Sequence, residues 1–260
     1  MKYLLAVILT LALAAGAQAK VVTQNLEYKQ DGTVLEGFLA YDDSLKGPRP
    51  GVLVVHEFWG LNDYVKNRAR QLAQMGFVAL AADMYGKGVV TKDPQEARKL
   101  AGHLRGTPLM RQRALAGLEL LKKNKLVDPK HLAAIGFCFG GTTVLELAYA
   151  GTDLAGVVSF HGGLVPPKAE DVKNIKAKIL VLHGADDPHI KPEEIAAFQE
   201  ALRKGGANWQ MVYYGGAVHS FSNPEAGSDK STGAAYDSRT AGRSWNQMQL
   251  FFKEIFVGFI

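Results

Sequence analysis

The chain has 260 residues, 47% of them hydrophobic and 21% charged, with a formal charge of +5 and one cysteine. That composition fits a globular protein with one substantial core and excludes a disordered, collagenous or disulfide-stapled chain. The basic residues are dispersed. The densest run, Lys122-Lys123-Asn124-Lys125, ends a predicted helix, where cations suit the dipole, so nucleic acid is not an expected partner.

Lys2, an apolar stretch over residues 4–15 and Ala17-Gln18-Ala19 read as the three parts of a secretory signal peptide covering residues 1–19. The apolar stretch is too short to be a comfortable transmembrane helix. Cleavage before Lys20 removes 19 of the 260 residues to leave 241, and loss of Lys2 takes the charge from +5 to +4. The expected location is periplasmic or secreted, with no membrane attachment after cleavage. Residues 20–260 read as one domain.

Residues 21–29 and 33–41 alternate apolar and polar side chains around Asp31-Gly32, a hairpin signal. Residues 46–51 read as a loop, and residues 52–55 as a strand buried on both faces. Asn62 or Asp63 caps a helix that runs to about Met75 and stops at Gly76. A buried strand follows over residues 77–82, then helices over 93–104 and 108–123. Further strands are expected over 131–135, 156–160, 179–182 and 208–214, with helices over 142–150, 191–202 and 235–256. Strands alternating with helices predict a mostly parallel central sheet flanked by helices on both faces.

Between two of these elements lies Ile135-Gly136-Phe137-Cys138-Phe139-Gly140-Gly141. It reads as the nucleophile elbow of an α/β-hydrolase, with cysteine in place of serine. A lone cysteine is usually a small buried hydrophobe. Two later motifs favour chemistry instead. His183-Gly184-Ala185-Asp186-Asp187 and Gly216-Ala217-Val218-His219-Ser220-Phe221 each follow a predicted strand, and nucleophile, acid, histidine is the α/β-hydrolase order. Parallel sheets gather their chemistry beyond such strand ends.

A free thiol has a pKa of about 8.5 and needs activation at neutral pH. The helix N-terminus that follows the elbow favours thiolate. His219 would act as base or ion-pair partner, oriented by Asp187. Asp186 competes for that place, but turn stabilisation suits it better. The backbone N–H groups of Phe139 and Phe58 are the candidate oxyanion donors. Glu57 ends a buried strand, where a carboxylate needs a partner; an arginine or backbone partner and a functional role are both open. His56, His161 and His183 read as structural, and neither a metal nor a cofactor is expected.

The segments His56-Glu57-Phe58-Trp59-Gly60-Leu61-Asn62, Asp83-Met84-Tyr85-Gly86, the elbow and the two later motifs together resemble the dienelactone hydrolase family over nearly all of residues 20–260. The resemblance implies a Cys138, Asp187, His219 triad, and a carboxymethylenebutenolidase-like hydrolase of carboxylic esters or lactones. It implies that Glu57 contacts the resting thiol and helps generate thiolate when substrate binds. It implies Phe58 and Phe139 as oxyanion donors. Members acting on carboxylated lactones hold the substrate carboxylate with two arginines; the matching places are Leu100, with Arg98 near it, and Asn223. The clamp is therefore expected to be absent or rebuilt. Trp59, Tyr85 and Arg98 are candidate pocket residues, and Trp59, Tyr85 and Phe139 would make the pocket mouth more apolar.

The expected function is hydrolysis of a small ester or lactone through a thioester acyl-enzyme, by a monomer or, alternatively, a dimer. Another reading is a non-catalytic α/β-hydrolase scaffold that binds a small ligand or a partner protein. A redox-sensing Cys138 would lack a second cysteine to resolve its oxidised form.

Overall fold

A computed structural model describes residues 20–259. The expected leader, residues 1–19, lies outside the described residues. Eight strands form one sheet in the order β1-β2-β4-β3-β5-β6-β7-β8. They are β1 (Val21–Gln30), β2 (Thr33–Asp42), β3 (Arg49–Val55), β4 (Val78–Ala82), β5 (Val127–Phe137), β6 (Gly156–Phe160), β7 (Lys178–Gly184) and β8 (Trp209–Tyr214). The β1–β2 hairpin pairs Val21 with Asp42 and Gln30 with Thr33, and its turn uses positive φ at Asp31 and Gly32. β2 pairs antiparallel with β4, and every pair from β4 to β8 is parallel.

The helices are α1 (Asp63–Gln74), α2 (Pro94–Leu104), α3 (Pro108–Lys122), α4 (Phe139–Tyr149), α5 (Ala169–Val172), α6 (Pro192–Lys204) and α7 (Ser238–Ile255). They cover both faces of the sheet. In β3, Leu53 and Val55 join a core with Leu118 of α3, Val144 of α4 and Phe198 of α6. Val52 and Val54 point the other way, into a core with Leu72 of α1 and Phe252 of α7. Alternate residues of one strand thus feed two cores, which is why the central strands read as continuous apolar runs.

Two of the expected helix caps hold. The Asn62 side chain accepts the Val65 N–H at 3.3 Å, and Asp93 accepts that of Gln95 at 2.8 Å. Several boundaries differ from expectation, among them the elbow itself, where β5 runs to Phe137 and α4 starts at Phe139. Residues 49–51 belong to β3 rather than to a loop, because Arg49 and Pro50 pair with Val127 and Asp128 before a register shift. That pairing also starts β5 at Val127. β7 runs on through His183 and Gly184, which pair with Tyr213 and Tyr214. The closing helix begins at Ser238, not at residue 235. Residues 233–235 are held elsewhere: Gly233 accepts the His219 N–H at 3.1 Å, and Ala235 donates to the His219 carbonyl at 3.0 Å. The one-turn α5 was not expected; four residues carry no readable period.

Candidate active site

β5 delivers Cys138 to the start of α4 with φ 51° and ψ −112°. That sharp turn needs two glycines. A Cβ at Gly136 would collide with the Gly140 carbonyl, and one at Gly140 with the Val55 carbonyl of β3. Cys138 is 8% exposed, and its N–H donates to the Phe160 carbonyl at 3.0 Å and to His161 Nδ1 at 3.2 Å.

The loops after β7 and β8 bring the other two candidates together. His219 Nδ1 lies 2.7 Å from Asp187 Oδ2. The other Asp187 oxygen accepts the His189 N–H at 2.9 Å. Burial alone would raise the Asp187 carboxyl, yet these bonds and the His219 charge hold it below its ordinary value. Burial would likewise push His219 down, but the Cys138 sulfur and Asp187 on its two sides hold it well above the usual imidazole range. Asp186 is exposed, and its N–H donates to the Ala217 carbonyl at 3.0 Å. Of the two acids, Asp187 is the one that meets the histidine.

Phe58 follows β3 and Phe139 follows Cys138. Among the described residues, neither backbone N–H has an acceptor. Both are N–H groups left without partners by their local structure, Phe139 because it opens a helix. They are available to a substrate oxygen.

Glu57 is 2% exposed, and its partners differ from the expected ones. Its carboxylate accepts from Ser220 Oγ at 3.0 Å and from the Asn223 carboxamide. No hydrogen bond among the described residues joins it to Cys138. The sulfur acts on His219 instead, raising its pKa, and the two residues line one cleft. Burial pushes the Glu57 carboxyl up, against the pull of Asn223, His219 and Ser220. Neither an arginine nor a backbone group is the partner.

Cys138 and His219 open onto a cleft of 1460 Å³ lined also by Phe58, Trp59, Arg98 and Arg105. Trp59 and Arg98 thus line the same cleft as Cys138. Tyr85 does not. It borders a separate, smaller pocket, and its hydroxyl donates to the Phe58 carbonyl at 3.0 Å. Phe139 is fully buried, packed on His56, so only its backbone serves the site. Leu100 lines the smaller pocket and Asn223 is bound to Glu57, so neither clamp position presents a cation. Arg105 was not expected in the cleft; its guanidinium sits 5.8 Å from the Phe139 ring centroid.

His161 was expected to be structural, but it underlies the site. Its Nε2 lies 2.7 Å from Ser222 Oγ, which lies 2.8 Å from the Tyr64 hydroxyl. Burial, with the charge of His219 adding to it, holds His161 well below its ordinary pKa and therefore neutral. Its position just past β6 was the one available signal. Among the described residues, no group of three or more His, Cys, Asp or Glu is arranged to hold a metal ion.

An elbow cysteine between the central strand and a helix, with acid and histidine from later strand ends, defines the α/β-hydrolase class. The sequence pattern of the dienelactone hydrolase family matches residues 35–256, and the chain belongs to that family. It is 43% identical to a solved structure described as a dienelactone hydrolase-like promiscuous phosphotriesterase from metagenomic libraries, with TM-score 0.86 and 90% and 98% of the two chains covered. It is 30% identical over 236 residues to "Protein usf" of Aquifex pyrophilus, covering 89% of this chain and 98% of that one. It is 29% identical over 240 residues to the "Putative carboxymethylenebutenolidase" of Aquifex aeolicus, covering 88% and 97%. The protein is a hydrolase of this family.

Proposed function

We propose that the protein cleaves carboxylic esters or lactones with Cys138 as nucleophile, through a thioester acyl-enzyme. The observation that carries this reading is a single cysteine, in the strained elbow conformation, on one cleft with a histidine that is bonded at 2.7 Å to a buried aspartate. The Cys138 thiol passes its proton to His219, and the thiolate sulfur attacks the carbonyl carbon and forms the C–S bond. The carbonyl oxygen takes the electron pair and is held by the N–H groups of Phe58 and Phe139. Collapse of this intermediate breaks the C–O bond, and the leaving alkoxide takes the proton carried by His219. Water then attacks the thioester with His219 as base, releasing the acid and restoring the thiol. Asp187 holds the imidazole and stabilises its charged form throughout.

Leu100 and Asn223 supply no clamp, while Arg98 and Arg105 line the cleft and offer other cations to a substrate carboxylate. The metagenomic relative's described activity supports phosphotriesters as a second substrate class, since the attacked phosphorus also develops an oxyanion. The sequence of residues 1–19 supports export to the periplasm or the medium.

The test is hydrolysis of p-nitrophenyl acetate by the protein beginning at Lys20, with and without prior iodoacetamide. The expected result is turnover that is lost on carboxamidomethylation of Cys138, located by mass spectrometry, and lost in Cys138→Ala. Full activity in Cys138→Ala overturns the reading.

A further inference from the structure

The proposed reaction depends on where the Phe58 N–H points, and two side chains outside the triad grip the peptide units on either side of it. His56 Nδ1 bonds the Glu57 carbonyl. That carbonyl shares its planar, trans peptide with the Phe58 N–H, so holding the oxygen fixes the opposite direction of the N–H. The Tyr85 hydroxyl donates to the Phe58 carbonyl at 3.0 Å, which fixes the next peptide plane. Only the two carbonyls are gripped; the N–H between them is left for substrate.

The two grips are locked to each other and to the second donor. The His56 and Tyr85 rings meet edge to face with centroids 4.9 Å apart. His56 stacks on the Phe139 ring at 6.0 Å, and Tyr85 packs on it at 5.8 Å. The Met84 N–H donates to His56 Nε2 at 3.2 Å, so the neutral ring carries its proton on Nδ1, toward the Glu57 carbonyl. Burial favours that neutral form. Burial also keeps the Tyr85 phenol protonated, as a donor must be. The Tyr85 backbone is fixed in turn. Asp83 accepts its N–H at 2.8 Å, and Arg113 donates to its carbonyl at 2.7 Å.

We propose that His56 and Tyr85 are positioning residues that together set the orientation of the Phe58 oxyanion donor and its spacing from Phe139. Neither touches the reacting atoms. Both act by denying the loop after β3 the freedom to turn its N–H away from the developing charge. This proposal rests on the cysteine-hydrolase reading.

The experiment compares two reactions at Cys138. Acylation by p-nitrophenyl acetate passes through an oxyanion. Alkylation by iodoacetamide forms a C–S bond at a saturated carbon as iodide leaves, and needs no oxyanion donor. Tyr85→Phe keeps the ring and removes the hydroxyl. Its expected effect is a fall in kcat of about three- to tenfold with KM unchanged, the scale of one neutral hydrogen bond. The alkylation rate should equal that of the wild type. His56→Leu should show the same split, and His56→Gln, which retains an N–H donor, should recover part of the loss. Unchanged kcat in both Tyr85→Phe and His56→Leu overturns the proposal. So does alkylation that slows in proportion to ester turnover, which would mean general damage to the site. Absence of Cys138-dependent turnover in the wild type, measured before any variant, would overturn the hydrolase reading and this proposal with it.

Discussion

The carboxamide of Asn223, a residue of the cleft lining, is spent on the buried carboxylate of Glu57. The two residues lie 166 positions apart in the chain. Asn223 thereby supplies a donor to an internal acid. It also shows why Glu57 is not turned toward the thiol: Asn223 and Ser220 occupy its two oxygens from the His219 loop.

Removing that donor leaves a buried carboxyl with its desolvation only partly offset. Asn223→Ala is expected to lose about 1–3 kcal/mol of stability. Urea unfolding of the variant and the wild type measures the difference. A loss no larger than that of an exposed Asn→Ala control would mean Glu57 draws its support from elsewhere.

The raised pKa of His219 has a definite sign. Its folded value lies above its unfolded one, so its contribution to stability is complete below about pH 6.5. That contribution is lost as pH rises through the folded value. Because the Cys138 sulfur is one cause of the rise, Cys138→Ala should bring the imidazole titration, followed by NMR, back toward the ordinary range. An unchanged titration would assign the rise to Asp187 alone.

The cleft volume of 1460 Å³ exceeds the roughly 300–1,000 Å³ usual for small-ligand pockets. A series of p-nitrophenyl esters from acetate to hexanoate should therefore show rising kcat/KM. Each methylene that enters apolar surroundings is worth about 0.8 kcal/mol, or about fourfold at most. A flat series would place the acyl chain in solvent.

The elbow tolerates no Cβ at its two close approaches. Gly136→Ala forces backbone against backbone and should destabilise by about 1–3 kcal/mol or more. Thermal unfolding checks this, with Gly102→Ala as the control, since a Cβ there has open space on the surface of α2.

Much of this was legible in the chain. Cys138, Asp187 and His219 could be found because each follows a strand readable in the sequence, and in a parallel sheet such strands end on one side. The sequence favoured Asp187 over Asp186, and the structure puts Asp187 against His219 with Asp186 exposed. The partners of Glu57 were not readable, because hydrogen bonding across 166 residues leaves no local pattern. Tyr85 was taken for a pocket residue because an aromatic at a strand end looks alike from either side of a loop. Only the direction of its hydroxyl, toward the Phe58 carbonyl, separates the two roles. His161 lay hidden for a similar reason: its contact with the Cys138 amide joins two strand ends that the sequence keeps apart.

The parallel sheet has a kinetic consequence. The groups gathered at its edge stretch from His56 to Asn223, and they meet only when β3, β5, β7 and β8 are aligned in register with the strands between them. Long-range pairings of this kind form late, because the loops they close carry a large entropy loss. A chain cut short before β8, or stopped partway through refolding, should therefore lack catalysis altogether rather than keep a fraction of it. Return of ester turnover during refolding would then report assembly of the whole sheet, with no earlier partial phase.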